Sequence, residues 1–498
     1  MVGTGGAAMI VMKFGGTSVE DAPAIERVAE IVRSRAAEDP VVVVSALARV
    51  TDQLLGAGKA AASGDRERAL DLLAGLRQRH LQTASELLSG TDLFKLQPAL
   101  ETSFNLLQEL LTGVATLREL SPRSTDCLLS FGELLSSEIV SAALVARGLE
   151  TEWVDARECL ITDNSHTRAV PLVAETRERL EAQLRPLLER QAIPVMGGFI
   201  GSTVDGTPTT IGRGGSDYSA SIVGAAMEAA RIEIWTDVPG MMTTDPNLCP
   251  EARLIPEISF DEAAELASFG AKVLHPATLL PAIEKNVPVY VLNSRDPAGA
   301  GTCIRAHVPG NHHPVRAIAA KRNTTIVNVA GERAWMPRGF LREVLAVFDR
   351  HECQVDIVAS SQVRISLAVE AGSVAPELLA DLERLAEVSC EPRQAIVSVV
   401  GENLRGRQGI AASVFGSVAA AGVNVRMISQ GASEINISFV IQEEDVPAAV
   451  RRLHSDLFAD AKPQEDWRWV AARVGLSEPT PATDREKTEG VTAHGPEI

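Results

Sequence analysis

The strongest constraint on the fold is a unit that recurs through the first half of the chain: a short apolar run that stops at a glycine-rich or polar loop, with a helical pattern behind it. Met9–Phe14 leads at once into Gly15-Gly16-Thr17-Ser18, and apolar residues then return at helical spacing as Ile25, Val28, Ile31 and Val32. This predicts strand, glycine turn and helix, with Thr17 or Ser18 as the helix cap. Val41–Val44 is an uninterrupted β-branched run between Pro40 and the Ser45–Asp52 loop, the pattern of a parallel strand buried on both faces. Ile193–Met196 stops at Gly197-Gly198-Phe199, and Ile232–Trp235 ends in Thr236-Asp237-Val238-Pro239-Gly240. Helices are expected over Leu128–Arg147 and Leu172–Leu188, with a strand near Glu152–Val154. Strands alternating with helices, and loops of this kind at the strand ends, call for an open, mainly parallel α/β sheet that binds ligands along its C-terminal edge. Residues 53–120 depart from the alternation. Their leucines (Leu70, Leu72, Leu73, Leu76, then Leu106, Leu107, Leu110, Leu111) follow a helical period and read as a helical excursion, a lid or a dimer surface.

With 498 residues the chain has room for three or four domains. Its residues are 45% hydrophobic but only 4% aromatic, so the cores must be built from Ala, Val and Leu. A formal charge of −18 argues against nucleic-acid binding and means that an anionic substrate must be held by local cations. Cys127, Cys159, Cys249, Cys303, Cys353 and Cys390 stand singly, which suits a reducing, cytoplasmic compartment and excludes a thiolate-rich zinc site. Met1–Ala8 lacks the basic and apolar regions of a signal peptide, and no run approaches the length of a membrane span. His312 and His313, beside Pro314, read as solvated loop side chains.

A hairpin around Asp205-Gly206 precedes the most chemically loaded stretch, Thr209–Asp217 (T-T-I-G-R-G-G-S-D), which feeds the small-residue helical run Tyr218–Ala230. A loop opening into a helix N-terminus attracts anions, with Ser216 or Asp217 as the expected cap. Arg213 could take a carboxylate or a phosphate in two bonds. Alone, the stretch reads equally as a glycine-rich surface turn with a salt-bridged arginine. Four loops are expected to converge: Lys13–Ser18, Gly197–Gly201, Gly212–Asp217 and Thr236–Asp245. Phosphate chemistry needs backbone donors that approach closely and cations that neutralise developing charge, and Lys13, Arg213 and Lys272 are the candidates. A P-loop is excluded, because G-x-x-x-x-G-K-[ST] does not occur. Asp245, between Thr244 and Pro246, reads as a turn residue rather than a metal ligand.

After Cys303 the character changes. His307–Pro314 is a linker, and beyond it Gly339–Ser360 and Gly409–Gln430 repeat at an offset of seventy positions. Val344 matches Val414, Val355 matches Val425 and Ile357 matches Met427. An alternating strand follows each copy, Val363–Val369 and Ile435–Ile441, then another helix, so the region is a doubled β-α-β-β-α-β unit. From Val474 onward Pro, Thr, Glu and Lys dominate without periodicity, the composition of a disordered tail.

K-F-G-G-T-S at 13–18, S-x-G-E at 130–133, G-F-I-G at 198–201, T-T-I-G-R-G-G-S-D-Y at 209–218, W-T-D-V-P-G at 235–240 and F-G-A-K-V-L-H-P-A-T at 269–278 resemble the aspartate kinases of the amino-acid kinase superfamily. The doubled unit resembles their paired ACT regulatory domains, and the likeness runs from Met9 to about Phe458. It implies a three-layer αβα amino-acid kinase domain with a mainly parallel sheet over 9–305 and a linker over 306–314. Two ferredoxin-like βαββαβ ACT domains follow, one from 315–323 plus 394–470 and the other, 324–393, inserted within it; 474–498 is the tail. It further implies phosphorylation of L-aspartate by ATP with Mg²⁺ to give 4-phospho-L-aspartate, the first step toward lysine, threonine, methionine and diaminopimelate. By resemblance Lys13 lies against the transferring phosphoryl group with backbone donors from Gly15 and Gly16, and Asp217 shares the catalytic role. Thr51, Glu133, Arg213, Ser216 and Asp217 hold aspartate, and Phe14, Thr236, Asp237, Met242, Asn247, Lys272 and Val273 join Lys13, Gly15 and Gly16 around ATP. No protein ligand to a metal is implied. A substrate carboxylate is already ionised at neutral pH, so positioning and charge neutralisation suffice and no strong general base is needed. Lys13 has a second reading as a strand-end lysine, Lys272 as a solvated charge, and Glu133 as a helix-start carboxylate capping with Ser130.

The chain departs from the family pattern at several points. In Ser45–Asp52 Arg49 replaces a glycine and Asp52 an asparagine, which puts the placement of Thr51 in question. Met242 and Asn247 stand where a tyrosine and an arginine are usual, which implies an active enzyme with weaker ATP contacts. The single-function, lysine-sensitive type is the nearest in length and order; it binds its effector between ACT domains of two subunits, implying a homodimer or a dimer of dimers. Asp356, Ser361 and Gln362 match its effector positions, with Gln362 lacking the usual glutamate's charge and Pro337 lacking the usual serine's donors. Weakened lysine inhibition, or another amino-acid effector, follows. Two other readings remain: an amino-acid sensor with a dead kinase fold, and another carboxylate kinase, such as one acting on glutamate. A fused homoserine dehydrogenase is not expected, because no strand–G-x-G-x-x-G–helix unit follows the repeat.

Overall fold

The computed structural model describes residues 9–212, 214–270, 276–308, 314–331, 338–430 and 434–459. The chain opens with β1 (Ile10–Phe14), α1 (Ala22–Arg35) and β2 (Pro40–Val44), continues into the helices α2 (Val50–Ala62), α3 (Arg66–Leu87), α4 (Gly90–Leu117) and α5 (Pro122–Ala146), and returns through β3 (Thr151–Val154), α6 (Ala156–Cys159) and β4 (Ile161–Thr162). Next come α7 (Val173–Glu189), β5 (Ile193–Gly197), the hairpin strands β6 (Ile200–Thr203) and β7 (Pro208–Thr210), α8 (Gly215–Ala226) and β8 (Arg231–Thr236). β9 (Glu257–Ser259), α9 (Phe260–Ser268), α10 (Leu280–Lys285), β10 (Val289–Asn293) and β11 (Thr302–Arg305) complete the first half. Eight strands form one sheet in the order β3-β5-β2-β1-β8-β10-β11-β9, parallel at every pairing except β10 with β11. Helices α1 and α5 cover one face, and α7, α8 and α10 cover the other. Every residue of β1 and β2 is buried, as a strand between two helical layers requires.

Local starts and stops differ from expectation where a side chain has a distant partner. Thr17 and Ser18 do not cap α1; with Gly16 they form a short 3-10 turn, and the Ser18 hydroxyl lies 2.8 Å from that of Ser294. Asp21 caps α1 instead, accepting a 2.9 Å hydrogen bond from the Ala24 N–H. Helix α5 begins at Pro122, six residues before Leu128, with Ser121 accepting from the Ser124 N–H. Neither Ser216 nor Asp217 caps α8. That helix starts at Gly215 behind Gly214, whose φ of 70° only glycine adopts freely, and it ends at Ala226 rather than Ala230. The excursion over residues 53–120 is α2, α3 and α4, packed as a bundle against α5.

The second half forms a single antiparallel sheet. β12 (Val315–Ala330) precedes α11 (Phe340–Arg350), β13 (Val355–Ser360), β14 (Arg364–Glu370) and α12 (Pro376–Glu383); β15 (Glu387–Gly401) precedes α13 (Ile410–Ala420), β16 (Met427–Ser429), β17 (Asn436–Gln442) and α14 (Val446–Leu457). The strand order is β13-β14-β12-β15-β17-β16. β12 and β15 run along each other for their whole length, with register shifts near Lys321 and Thr324. Each long strand therefore serves two units. Val327 and Val329 of β12 share a core with α11 and α12, while Val315 and Ile318 of the same strand share one with α13 and α14. The repeat read from sequence is visible in α11 and α13, which start behind Gly339 (φ 88°) and Gly409 (φ 85°). The linker residues His312 and His313, together with Pro337 and the tail, lie outside the described residues.

Candidate active site

The site is built where β1, β2, β5 and β8 end. The Gly15 N–H donates to the Trp235 carbonyl (3.0 Å), the Ser45 N–H to that of Phe14 (3.0 Å), the Ala48 N–H to that of Gly16 (3.1 Å) and the Gly198 N–H to that of Val44 (2.8 Å). Four loops are thereby stitched into one edge, as the sheet topology requires. Close approach depends on absent side chains at two positions. A Cβ on Gly197 would come within 3.0 Å of Glu133 Cβ, and one on Gly198 within 2.7 Å of Ser216 Cα. α5 and α8 can therefore lean over the same strand end.

Between them lies a cavity of about 620 Å³ lined by Lys13, Thr51, Glu133, Thr210, Ser216 and Asp217, with backbone from Gly16 and Gly215. Lys13, only 8% exposed, places its Nζ 2.6 Å from Asp217 Oδ1, a contact of charges rather than an aligned hydrogen bond. Glu133 is not a helix-start carboxylate capping with Ser130. It sits mid-way along α5, 3% exposed, and its Oε2 has no partner among the described residues. Burial pushes its carboxyl up to about 8, against the opposing pull of backbone N–H groups and the Lys13 ammonium. A buried carboxyl with one oxygen unpartnered, facing a cavity, is a group waiting for a cation.

The structure brings Lys13, Gly16, Thr51, Glu133, Ser216 and Asp217 into one cavity. Thr51 reaches it although Arg49, which precedes α2, takes a left-handed φ of 68°, the conformation a glycine would supply without strain. Gly15 closes the β1 loop against β8. Phe14 is a core residue: fully buried, its ring stacks on Trp235 with centroids 6.1 Å apart. Thr236 ends β8 and Asp237 follows it, both outside the cavity lining, and the Thr236 carbonyl accepts from Ser294. Asn247 donates its N–H and its side-chain amide to Asp245 Oδ1, so Asp245 does organise a turn. Met242 lies in the same connection, half-buried, paired as an isolated bridge with Leu254. Arg213, Lys272 and Val273 lie outside the described residues. Among the described residues no group of three His, Cys, Asp or Glu is arranged to hold a metal ion.

Sequence reading missed Asp126 and Phe199. Asp126, fully buried, accepts from Thr210, Thr167 and His166 at the cavity wall. Its signal was available: Asp126, Ser130, Glu133 and Ser137 recur at i, i+4, i+7 and i+11, a polar stripe along one face of an apolar helix, and all four are buried. Phe199 lines the cavity with φ 63°, its N–H held by the Ser219 hydroxyl (2.9 Å).

A three-layer α/β domain whose glycine-lined strand ends enclose a lysine and two acidic side chains, and which carries a doubled βαββαβ unit, belongs to the class of small-molecule transferases with an appended regulatory module. Residues 8–293 match the model of the amino acid kinase family, and residues 397–457 match that of the ACT domain. Lysine-sensitive aspartokinase 3 of Escherichia coli is 38% identical over 460 residues, 90% of this chain and 99% of that protein. Chloroplastic aspartokinase 2 of Arabidopsis thaliana is 37% identical, over 92% of this chain and 85% of that protein. Among solved structures, E. coli aspartokinase III in complex with aspartate and ADP superposes with a TM-score of 0.78 at 37% identity, over 90% of this chain and all of that one. The same enzyme with lysine and aspartate gives 0.77. The chain belongs to the amino acid kinase family, in its aspartokinase branch, and it is an ATP-dependent kinase with a C-terminal ACT module.

Proposed function

We propose that the chain transfers the γ-phosphoryl group of ATP to the side-chain carboxylate of L-aspartate, releasing ADP and 4-phospho-L-aspartate. The observation that carries this reading is the cavity, at a strand edge, lined by the Lys13–Asp217 pair and by the buried Glu133 carboxyl with its unpartnered Oε2. The acceptor oxygen attacks the γ-phosphorus as the bond to the bridging oxygen breaks, and the leaving electrons stay on ADP. No proton need leave the acceptor. Lys13 neutralises charge on the transferring group, held in place by Asp217, while Glu133 takes the substrate ammonium and Arg213 its α-carboxylate. Gly15 and Gly16 offer backbone donors. Mg²⁺ arrives on the nucleotide phosphates. Thr236, Asp237, Met242, Asn247, Lys272 and Val273 form the nucleotide side, with a raised ATP KM from Met242 and Asn247.

A dead-kinase sensor would have no need to keep a buried lysine, a buried glutamate and a half-buried aspartate around an open cavity, since each is costly without a ligand to serve. Hydroxylamine trapping with ATP and either aspartate or glutamate tests the reading: aspartyl hydroxamate forms, glutamyl hydroxamate does not, and equal yields would favour another carboxylate kinase.

The regulatory half of the proposal places an amino-acid effector, lysine above others, at the ACT module, in two units assigned to 315–323 with 394–470 and to 324–393. The sharing of β12 and β15 supports that division. The Asp356 side chain is 8% exposed and its carboxylate lies 2.6 Å from Lys321 Nζ, so an effector ammonium must displace a resident one. Ser361 is engaged in its own turn, accepting from the Val363 and Arg364 N–H groups, and Gln362 is exposed. Lysine inhibition is therefore weak. A homodimer or dimer of dimers through the ACT sheets, and a cytoplasmic location consistent with six free cysteines, complete the reading.

A further inference from the structure

The carboxylate of Asp126 is fully buried at the start of α5, yet nothing in the transfer reaction uses it. It is hydrogen-bonded from three directions. The Thr210 hydroxyl donates at 2.5 Å, the Thr167 N–H reaches both oxygens at 3.0 Å, and His166 Nδ1 lies 2.8 Å away. Thr210 and Thr167 both line the cavity. Thr167 is also strained: it is a β-branched residue at φ 70°, in the left-handed region where such side chains rarely go, and such strain persists only where the surroundings over-determine it. The Ala169 N–H donates to the Thr210 carbonyl at 2.9 Å, and Asp163 gathers the Ser165 and Val170 N–H groups, so the 163–169 loop is anchored at both ends and at its strained centre.

We propose that Asp126 is a positioning residue for the acceptor half of the cavity, and that the 163–169 loop, held by it at Thr167, is a wall of the aspartate site. This rests on the aspartate-kinase reading above. Loss of the carboxylate frees the loop, Thr167 relaxes to an unstrained conformation, and the wall withdraws from the acceptor while the nucleotide side is untouched.

The test is steady-state kinetics on the full chain. Asp126→Asn raises the aspartate KM by about tenfold or more with the MgATP KM within about twofold, because misplacement of positioning groups is felt at the reacting centre. Adding Thr167→Gly to that variant recovers most of the aspartate KM, since glycine holds a positive φ without strain. An unchanged aspartate KM in Asp126→Asn, equal rises in both KM values, or no recovery by glycine would each overturn the proposal. Should Asp126→Asn fail to fold, Thr167→Pro on the exposed loop removes both the N–H and the positive φ, and it must raise the aspartate KM alone. If the unmodified chain forms no aspartyl hydroxamate, the functional reading fails instead; an active chain with indifferent variants sinks only this inference.

Discussion

Under the proposed function Lys13 and Glu133 divide the work at the scale of single residues, one serving the transferred phosphoryl group and the other the substrate ammonium. Lys13→Met keeps the stem that packs at the end of β1 and removes the charge. Turnover is expected to fall by about a thousandfold, as for other electrostatic stabilisers of phosphoryl transfer, with the circular dichroism spectrum unchanged. Retention of a substantial share of activity would reduce Lys13 to a strand-end lysine. Glu133 makes a prediction with a definite sign. Burial pushes its carboxyl up to about 8, which favours the neutral form at pH 7, and an adjoining ammonium favours its ionised form. Aspartate binding therefore expels a proton, and affinity rises with pH by up to about tenfold per unit, levelling above about pH 8. Aspartate KM values from pH 6 to 9 check the slope, and calorimetry in two buffers of different ionisation enthalpy counts the proton; a flat profile with no release would remove Glu133 from the ammonium site. Lys13, Glu133, Ser216 and Asp217 were legible because motifs carry them. Asp126 was legible only as one member of a polar stripe on α5, because its partners Thr167 and Thr210 lie 41 and 84 positions away.

At the scale of elements, β-branched runs and glycine stops gave the strands directly, since a strand buried on both faces must be apolar throughout. Helix starts were less legible, because a capping residue is chosen by what else competes for its side chain. Ser18 is drawn to Ser294 and Asp217 to Lys13, which leaves Asp21 and Gly214 to begin α1 and α8. Replacing Asp21 by Ala is thus expected to cost about 1 kcal/mol in urea denaturation, and replacing Thr17 less than about half of that. The reverse order would restore the cap read from sequence. Helix α5 passes the length and hydropathy test for a membrane span, but its buried stripe of Asp126, Ser130, Glu133 and Ser137 and its packing on the sheet explain its composition as that of a core helix lining a polar site.

At the scale of the whole molecule, the repeat offset of seventy revealed two units, while the fusion of their sheets through β12 and β15 rests on pairings between distant segments that no local pattern displays. The catalytic half is clamped to this sheet at several points. The Ile318 N–H donates to the Thr243 carbonyl, His454 Nε2 lies 2.9 Å from the Thr243 hydroxyl, and Arg451 Nε donates to the Leu248 carbonyl. Arg316 and Glu262 form a buried ion pair at 3.1 Å between β12 and α9. Arg316→Met leaves the Glu262 charge buried and is expected to cost about 3–5 kcal/mol, read as a lower urea midpoint; a loss within about 1 kcal/mol would show that water reaches the pair. In the ACT module, Lys321→Met should lower the lysine concentration for half inhibition by about tenfold by vacating Asp356, and an unchanged value would place the effector elsewhere.

The central claim is that Lys13, Glu133 and Asp217 make one phosphoryl-transfer site for aspartate. The most direct measurement follows the chain with ATP, Mg²⁺ and L-aspartate by phosphorus NMR. The account predicts an acyl-phosphate resonance that grows with ADP, depends on aspartate and is absent in folded Lys13→Met; ADP without an acyl phosphate, or no turnover in the unmodified chain, would contradict it.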